Sequence, residues 1–267
     1  MRMLSLFIMA VLAVQSVHGE VQAEPVEYRD GEVVLQGYLA WDDAVQGPRP
    51  GVLIVHQWKG LGEYEKRRAR ELAELGYTAF ALDMYGKDVR PENPQDAGKQ
   101  AGLFKNDRAL TRTRAGAALD FLAANEKVAS RPIAVMGYCF GGMVALELAR
   151  SGAPVAGAVS FHGNLDTPDP ADAKKIKGKV LVLHGADDPH VPPEQVAAFE
   201  KEMRDAGVDW QLVAYGGAVH AFTDSGAGSD PSRGAAYHAA ADRRSRDALK
   251  AFLAEVLKTA PQGGARE

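Results

Sequence analysis

The chain contains one cysteine, Cys139, in the run GYCFGG at residues 137–142. An apolar stretch precedes it at residues 132–136, and good helix formers follow at residues 143–150. Glycines permit a tight strand-to-helix turn, because a Cβ there would clash with the neighbouring backbone. This pattern is typical of a nucleophile elbow, with sulfur where a serine hydroxyl is commoner. The N-terminus of the helix favours a thiolate, so Cys139 could attack a carbonyl carbon.

The same six residues also fit a buried structural thiol. Free cysteine often behaves as a small apolar side chain, and short motifs also arise by chance. A nucleophile needs a base, and the base needs a group that orients it. The rest of the chain must therefore decide between the two interpretations.

Two later segments offer an acid and a base at the ends of apolar runs. The run at residues 179–184 leads into HGADDPHVP, which contains Asp188. The run at residues 210–215 leads into GGAVHAF, which contains His220. The order nucleophile, acid, histidine at three strand ends predicts a catalytic triad at one edge of a sheet. Taken singly, Asp188 could be an ordinary turn residue and His220 a surface histidine, and Asp187 is the alternative acid.

The three candidate residues can meet at strand ends only if the chain forms several strands connected by helices. Strands are predicted at 33–39, 51–56, 78–83, 132–136, 155–161, 179–184 and 210–215, and helices at 64–75, 104–125, 194–206 and 235–257. Residues 86–102 are rich in Gly, Pro and polar groups, and we expect them to form an excursion over the sheet edge. Strands that alternate with helices indicate an α/β protein, with a mostly parallel sheet covered by helices on both faces. With the elbow, this predicts the α/β-hydrolase fold.

Composition narrows the classes of function. The 267 residues suit a single domain, and a net charge of −4 with mixed signs gives no argument for nucleic acid or an anionic membrane. A single cysteine excludes an internal disulfide.

The N-terminus has the pattern of a signal peptide. Arg2 precedes an apolar run at residues 3–14, which is too short to span a bilayer. We expect cleavage after Ala23, with Gly19 as the alternative site and an uncleaved anchor as the alternative interpretation. The chain then comprises a signal peptide at 1–23, one domain at 24–260 and a disordered tail at 261–267. This predicts a periplasmic or secreted protein with no stable membrane association after cleavage.

The three motifs GYCFGG, HGADDPHVP and GAVHAF together resemble the dienelactone hydrolase family. The resemblance covers residues 30–257, nearly the whole chain after the signal peptide. It implies a Cys-His-Asp triad of Cys139, His220 and Asp188, with Asp188 rather than Asp187 as the acid. It also implies opening of enol lactones or cleavage of related esters, with no metal or organic cofactor. We expect a small-molecule lactone or ester as the substrate, no nucleic-acid partner, and a monomer or small homo-oligomer.

The resemblance also assigns other site residues. It implies an oxyanion hole made by the backbone N–H groups of Trp58 and Phe140. Family members with dienelactone activity carry a glutamate that contacts the thiol, and Gln57 occupies that position here. Candidate substrate contacts are Tyr85, Lys99, Phe222 and Asp224. Tyr85 and Lys99 belong to the segment expected to cover the pocket, and a plain surface position is the alternative for both.

The two departures from the family pattern bear on the substrate. Gln57 cannot take a proton, so His220 must ionise the thiol alone. Asp224 replaces an arginine that binds the substrate carboxylate, and an aspartate would repel that group. The sequence therefore favours a neutral lactone or ester over dienelactone itself.

Two other classes of function stay open at this point. One is a secreted, non-catalytic protein that binds a small molecule on a hydrolase scaffold, with Gln57 as the mark of lost turnover. The other is a serine hydrolase that uses Ser160 or Ser225, although neither serine lies in an elbow motif.

Overall fold

The chain folds around one eight-stranded sheet, which the computed structural model describes together with its helices over residues 19–258. The strands are β1 (Val21–Asp30), β2 (Val33–Asp42), β3 (Gly51–Val55), β4 (Thr78–Ala81), β5 (Ile133–Tyr138), β6 (Gly157–Phe161), β7 (Lys179–Gly185) and β8 (Trp210–Tyr215). Their spatial order is β1-β2-β4-β3-β5-β6-β7-β8. The β1–β2 and β2–β4 pairs are antiparallel, and all pairs from β4 to β8 are parallel.

Helices cover both faces of this sheet. They are α1 (Glu63–Glu74), α2 (Pro94–Asn106), α3 (Arg108–Ala124), α4 (Phe140–Arg150), α5 (Pro193–Ala206) and α6 (Ala239–Leu257). Side chains alternate along a strand, so Leu53 of β3 joins one apolar core with Leu122 of α3, and Ile54 joins the other with Leu253 of α6. Because β3 is buried on both faces, its sequence is continuously apolar. The predicted α/β-hydrolase fold is confirmed.

The N-terminal strand β1 was not predicted. It pairs antiparallel with β2 along its whole length, and Val21 and Ala23 lie opposite Asp42 and Ala40. Cleavage after Gly19 would leave this strand whole, whereas cleavage after Ala23 would remove its first three residues. The apolar part of the predicted signal peptide and the predicted tail at 261–267 lie outside the described residues.

The predicted helix at 104–125 is wrong in its extent, because the chain forms α2 and α3 with a break at Asp107. The Asp107 side chain accepts a hydrogen bond from the N–H of Leu110 and caps α3. Helix α2 also begins inside the segment at 86–102, for which no helix was predicted. Asn93 caps it, and Pro94 follows at the first helical position, which proline tolerates.

A buried ion network joins α4 to α5. Arg150 is fully buried, and its guanidinium binds both carboxylate oxygens of Glu202 at 2.8 and 2.7 Å. It also donates to Glu147 at 3.1 Å. The network anchors the helix that follows Cys139. Among residues 19–258, no helix is long and apolar enough to cross a bilayer, and no cluster of three or more His, Cys, Asp or Glu side chains could hold a metal ion.

Candidate active site

Cys139 occupies the sharp turn between β5 and α4. Its backbone has φ 55° and ψ −118°, a left-handed φ that a non-glycine residue rarely adopts. A Cβ on Gly137 would lie 2.0 Å from the carbonyl oxygen of Gly141, and one on Gly141 would lie 2.3 Å from that of Val55. Only glycine fits at both positions. The turn that the glycines predicted is therefore present, and it holds Cys139 in a strained, half-buried position.

The structure brings Cys139, His220 and Asp188 together. The Nε2 atom of His220 lies 3.0 Å from the Sγ atom of Cys139. Its Nδ1 atom lies 2.8 Å from Oδ2 of Asp188. The other carboxylate oxygen of Asp188 accepts the N–H of His190 at 2.8 Å, so the buried acid is fixed from two sides. These contacts form the hydrogen-bonded series that a nucleophile, base and orienting acid require.

The neighbouring Asp187 serves a different purpose. Its carboxylate accepts the N–H of Gly217 at 3.0 Å and lies at the exposed side of the turn. Asp187 thus ties the turn after β7 to the turn after β8. The geometry places Asp188, rather than its neighbour, next to His220.

The environment favours a charged thiolate and imidazolium. Burial lowers the pKa of His220, but hydrogen bonds to Asp188 and Cys139 and their negative charges outweigh burial and raise it to about 10. Burial raises the pKa of the Cys139 thiol, but His220, the N–H of Phe140 and the charge of Lys105 outweigh that effect. The thiol pKa therefore lies below its ordinary value, and Cys139 can ionise without a further carboxylate.

A buried histidine that the sequence did not single out supports the elbow from below. The Nδ1 atom of His162 accepts the N–H of Cys139 at 3.2 Å, so the neutral ring carries its proton on Nε2 and donates to Oγ1 of Thr223 at 2.9 Å. Burial holds the pKa of His162 well below its usual range, which keeps the ring neutral. Because Thr223 lies on the loop that carries His220, His162 joins that loop to the elbow. Its position directly after β6 was the only signal in the sequence.

Trp58 and Phe140, the two predicted oxyanion donors, flank Cys139. Trp58 follows β3 and lines a cleft of roughly 500 Å³ together with Cys139 and His220. Its backbone N–H donates to no acceptor within residues 19–258. The backbone N–H of Phe140 lies close enough to the sulfur to help lower the pKa of the Cys139 thiol. Both positions are those from which an oxyanion could be stabilised.

Gln57 does not make the contact predicted for it. Its side-chain Nε2 donates to Oδ2 of Asp224 at 3.2 Å, and no hydrogen bond joins it to Cys139 in the described part of the chain. Asp224 also accepts the N–H of Gly226 at 2.8 Å. The amide turns toward this carboxylate because an anion is a stronger acceptor than a thiol. The prediction of a thiol contact for Gln57 is therefore corrected.

Of the four candidate substrate contacts, only Asp224 lines the cleft. Tyr85 lies beneath the cleft and donates to the carbonyl oxygen of Trp58 at 2.7 Å. Phe222 is fully buried, with its ring 5.1 Å from that of His162. Lys99 points to solvent and pairs with a neighbour in its own helix at 3.4 Å. A substrate contact for Tyr85, Phe222 or Lys99 is thus not supported, because two are buried and one faces away.

The cleft has a mixed electrostatic character. Its charged lining residues are Lys59, Glu63, Glu65, Asp224 and Arg233. Glu65 is buried at the cleft, and burial raises the pKa of its carboxyl group to about 7. The hydrogen bonds that it accepts from backbone N–H groups partly oppose this increase. Neither serine considered above hydrogen-bonds to His220 within residues 19–258. Ser160 is buried within β6, and Ser225 begins a short 3₁₀ turn.

Comparison with known proteins identifies the family. The model of the dienelactone hydrolase family matches residues 35–257. A relative from Aquifex pyrophilus, "Protein usf", is 31% identical over 204 residues, which cover 74% of this chain and 85% of that protein. A relative from Saccharolobus solfataricus, provisionally named a carboxymethylenebutenolidase, is 28% identical over 252 residues, covering 80% of this chain and 92% of that protein.

Solved structures agree over almost the whole described chain. One named "m3DLH" has a TM-score of 0.86 and 40% identity, and covers 90% of this chain and 100% of its own. Another is described as the dienelactone hydrolase-like promiscuous phosphotriesterase P91 from metagenomic libraries. It has a TM-score of 0.85 and 43% identity, and covers 89% of this chain and 99% of its own. The chain therefore belongs to the dienelactone hydrolase family.

Proposed function

We propose that this hydrolase cleaves a small lactone or carboxylic ester through an acyl-enzyme on Cys139, with His220 as the base and Asp188 as the orienting acid. The observation that carries the proposal is the series of contacts at 3.0 Å and 2.8 Å that joins the three side chains at the cleft. The family's esterase and lactonase chemistry supports it. The rival interpretation, a binding protein without turnover, would not require a strained elbow and an ionised thiol in one cleft.

The first half of the reaction forms a thioester. The Cys139 thiolate attacks the carbonyl carbon, and its electron pair becomes the new C–S bond while the carbonyl π electrons move to oxygen. The N–H groups of Trp58 and Phe140 bind that oxyanion. The C–O bond to the leaving group then breaks, and the alkoxide or enolate takes the proton that His220 carries.

The second half releases the acid. Neutral His220 takes a proton from water, and the resulting hydroxide equivalent attacks the thioester carbon. The same two N–H groups stabilise the second oxyanion, and the C–S bond breaks with return of the electron pair to sulfur. Asp188 holds Nδ1 of His220 throughout, which keeps Nε2 directed at the reacting atoms.

The charges around the cleft favour a substrate that is neutral near its carbonyl group. Asp224 lies at the cleft and would repel a carboxylate, although Gln57 and Gly226 partly satisfy its oxygens. We therefore propose a neutral lactone or ester as the natural substrate.

The direct test is turnover of p-nitrophenyl acetate by the wild type and by Cys139→Ser. We expect turnover by the wild type and a loss of several orders of magnitude in the variant, because serine lacks the lowered pKa of the thiol. Rapid labelling of folded wild type by iodoacetamide, combined with no turnover of esters or lactones, would favour the binding-protein interpretation.

Phosphotriester cleavage is a second candidate activity. It is favoured by the 43% identity to the protein described as a promiscuous phosphotriesterase. We infer that the same thiolate attacks phosphorus in a neutral p-nitrophenyl phosphotriester, so that a P–S bond forms while the P–O bond to p-nitrophenolate breaks. Water activated by His220 then cleaves the P–S bond and releases the phosphodiester. A comparison of kcat/KM for this compound and p-nitrophenyl acetate ranks the two activities, and an absence of phosphotriester turnover by an active esterase would exclude the second.

We also propose that the chain is exported, from the signal-peptide pattern at residues 1–23. The start of β1 at Val21 favours cleavage after Gly19 over cleavage after Ala23. Fractionation of expressing cells and the N-terminal mass of the recovered protein test this. A mature chain that begins at Glu20 is expected, and an uncleaved protein in the cytoplasmic fraction would contradict export.

A further inference from the structure

We propose that His56, a buried residue that no step above uses, positions the oxyanion hole by fixing the peptide group that carries the Trp58 N–H. This inference rests on the proposed function, because it concerns the same reaction. His56 directly follows β3 and is fully buried, so it does not touch substrate. It is a positioning residue that acts through Trp58.

The hydrogen bonds of His56 fix both its tautomer and its charge. The Nε2 atom lies 3.1 Å from the backbone N of Met84, which can only donate, so Nε2 must accept. The ring proton is therefore on Nδ1, which donates to the carbonyl oxygen of Gln57 at 2.5 Å. Burial, partly offset by that hydrogen bond, lowers the pKa of His56 to about 4. The ring stays neutral, with the same donor and acceptor, at every pH at which His220 can act.

This hydrogen bond determines the direction of an N–H group. The carbonyl of Gln57 and the N–H of Trp58 belong to one planar peptide, and residues 19–258 contain no cis peptide bond. The two groups therefore point in opposite directions, so holding the oxygen sets the direction of the N–H. The N–H of Gly60 donates to the same oxygen at 3.2 Å.

The neighbouring peptide groups are held as well. Glu65 accepts the N–H of Gln57 at 3.1 Å, and Tyr85 donates to the carbonyl oxygen of Trp58 at 2.7 Å. With the bond from His56, three side chains fix the peptide groups on both sides of the Trp58 N–H. The Trp58 N–H itself donates to no acceptor within residues 19–258, which is what a prearranged oxyanion donor requires.

His56 also supports the second oxyanion donor. Its ring stacks on that of Phe140, with centroids 5.9 Å apart and an interplanar angle of 29°. Phe140 is fully buried, and its backbone N–H lies at the sulfur. One side chain thus holds the peptide group that carries the Trp58 N–H and also packs against Phe140.

Two conservative substitutions separate the donor at Nδ1 from the acceptor at Nε2. In His56→Asn the amide nitrogen takes the place of Nδ1 and can still donate to Gln57. In His56→Gln the amide oxygen takes the place of Nε2, which retains the acceptor for Met84 and loses the donor to Gln57. If His56 only filled space in the core, His56→Asn and His56→Gln would not differ in this way in activity.

The experiment measures p-nitrophenyl acetate turnover and iodoacetamide labelling of Cys139 in both variants. Alkylation requires the thiolate but no oxyanion hole. We expect His56→Gln to lower kcat about tenfold or more with little change in KM. This is less than the ~10²–10³ that follows removal of an oxyanion donor, because the Trp58 N–H remains and only its direction is less firmly held. His56→Asn should retain most of kcat, and both variants should be labelled at the wild-type rate. His238→Asn is the matched control, since asparagine can still cap α6 as His238 does.

Equal losses of kcat in the two variants, or labelling rates that fall with kcat, would overturn the inference. Nitrogen-15 NMR of the wild type provides a test that does not depend on how the variants fold. It should show His56 protonated on Nδ1 and not titrating between pH 5 and 9, and a proton on Nε2 would overturn the inference. A wild type that is labelled but turns over no ester would instead contradict the proposed function.

Discussion

The side-chain amide of Gln57 is bound to Asp224, with 3.2 Å between Nε2 and Oδ2. These are the two positions at which this chain departs from the family pattern, and the structure shows that they form one contact. Gln57 is therefore a partner for a carboxylate rather than a weakened substitute for a glutamate at the thiol. The groups that stabilise the Cys139 thiolate are therefore His220 and the N–H of Phe140.

Replacement of Gln57 by glutamate should slow the enzyme. Gln57→Glu places two carboxylates within hydrogen-bonding distance, so one of them takes up a proton or the pair repels. We expect ester turnover at pH 8 to fall several-fold, with partial recovery toward pH 5 as the pair binds a proton. Asp224→Asn in the same chain should restore the rate at pH 8. A faster Gln57→Glu enzyme would show instead that a carboxylate at this position was missing.

Asp188 and Asp187 should differ greatly in their importance for catalysis. In Asp188→Asn the one remaining oxygen accepts the N–H of His190, so an NH2 group faces Nδ1 of His220 in place of an acceptor. The equivalent substitution in other triads costs about 10⁴ in rate. Asp187→Asn should change kcat/KM for p-nitrophenyl acetate only slightly, because this residue binds the N–H of Gly217. A larger loss for Asp187→Asn than for Asp188→Asn would reassign the acid.

The reactivity of Cys139 should depend on pH in a specific way. Its pKa lies below the ordinary thiol value, so the alkylation rate should reach its plateau at a lower pH than that of a free cysteine and fall as acid protonates the thiolate. In His220→Gln the strongest influence left is burial, which raises the pKa, so the rate should be low at pH 7 and rise only in alkali. Rates of iodoacetamide labelling, measured as a function of pH in the wild type and in His220→Gln, test both expectations. Identical profiles for the two proteins would mean that His220 does not stabilise the thiolate.

The buried network around Arg150 should dominate local stability. Arg150→Leu leaves Glu202 buried without its cation, whereas Glu147 keeps its ion pair with Arg112. Loss of one partner from a buried pair costs about 3–5 kcal/mol. Urea unfolding should show this decrease in the free energy of unfolding. Replacement of all three residues by apolar side chains of similar volume should cost far less. Equal losses in the single and triple variants would mean that the charges are not responsible.

The strands and the elbow were predictable because their determinants are local. Continuous apolar runs mark β3 to β8, and the glycines at 137 and 141 stand where any Cβ would strike backbone. The triad followed from its order along the chain and from the rule that parallel strands end at one edge of the sheet. Strand β1 was missed because its burial alternates weakly at an edge, and because its first residues lie next to an apolar N-terminus.

The finer features of the site depended on contacts between distant segments. Gln57 meets Asp224 across 167 residues, and His162 meets Thr223 across 61. No local pattern indicates which acceptor a buried amide or imidazole will find. The capping residue Asp107 was a local signal, but the helical periodicity on both sides of it favoured one long helix.

The most direct test of the account is the mass of the enzyme during turnover. Wild type mixed with p-nitrophenyl acetate and quenched in acid within milliseconds should carry one acetyl group, and peptide mapping should place it on Cys139. The acetyl group should disappear when the ester is exhausted. Turnover without any acetylated enzyme, or with the acetyl group on another residue, would contradict a Cys139 acyl-enzyme.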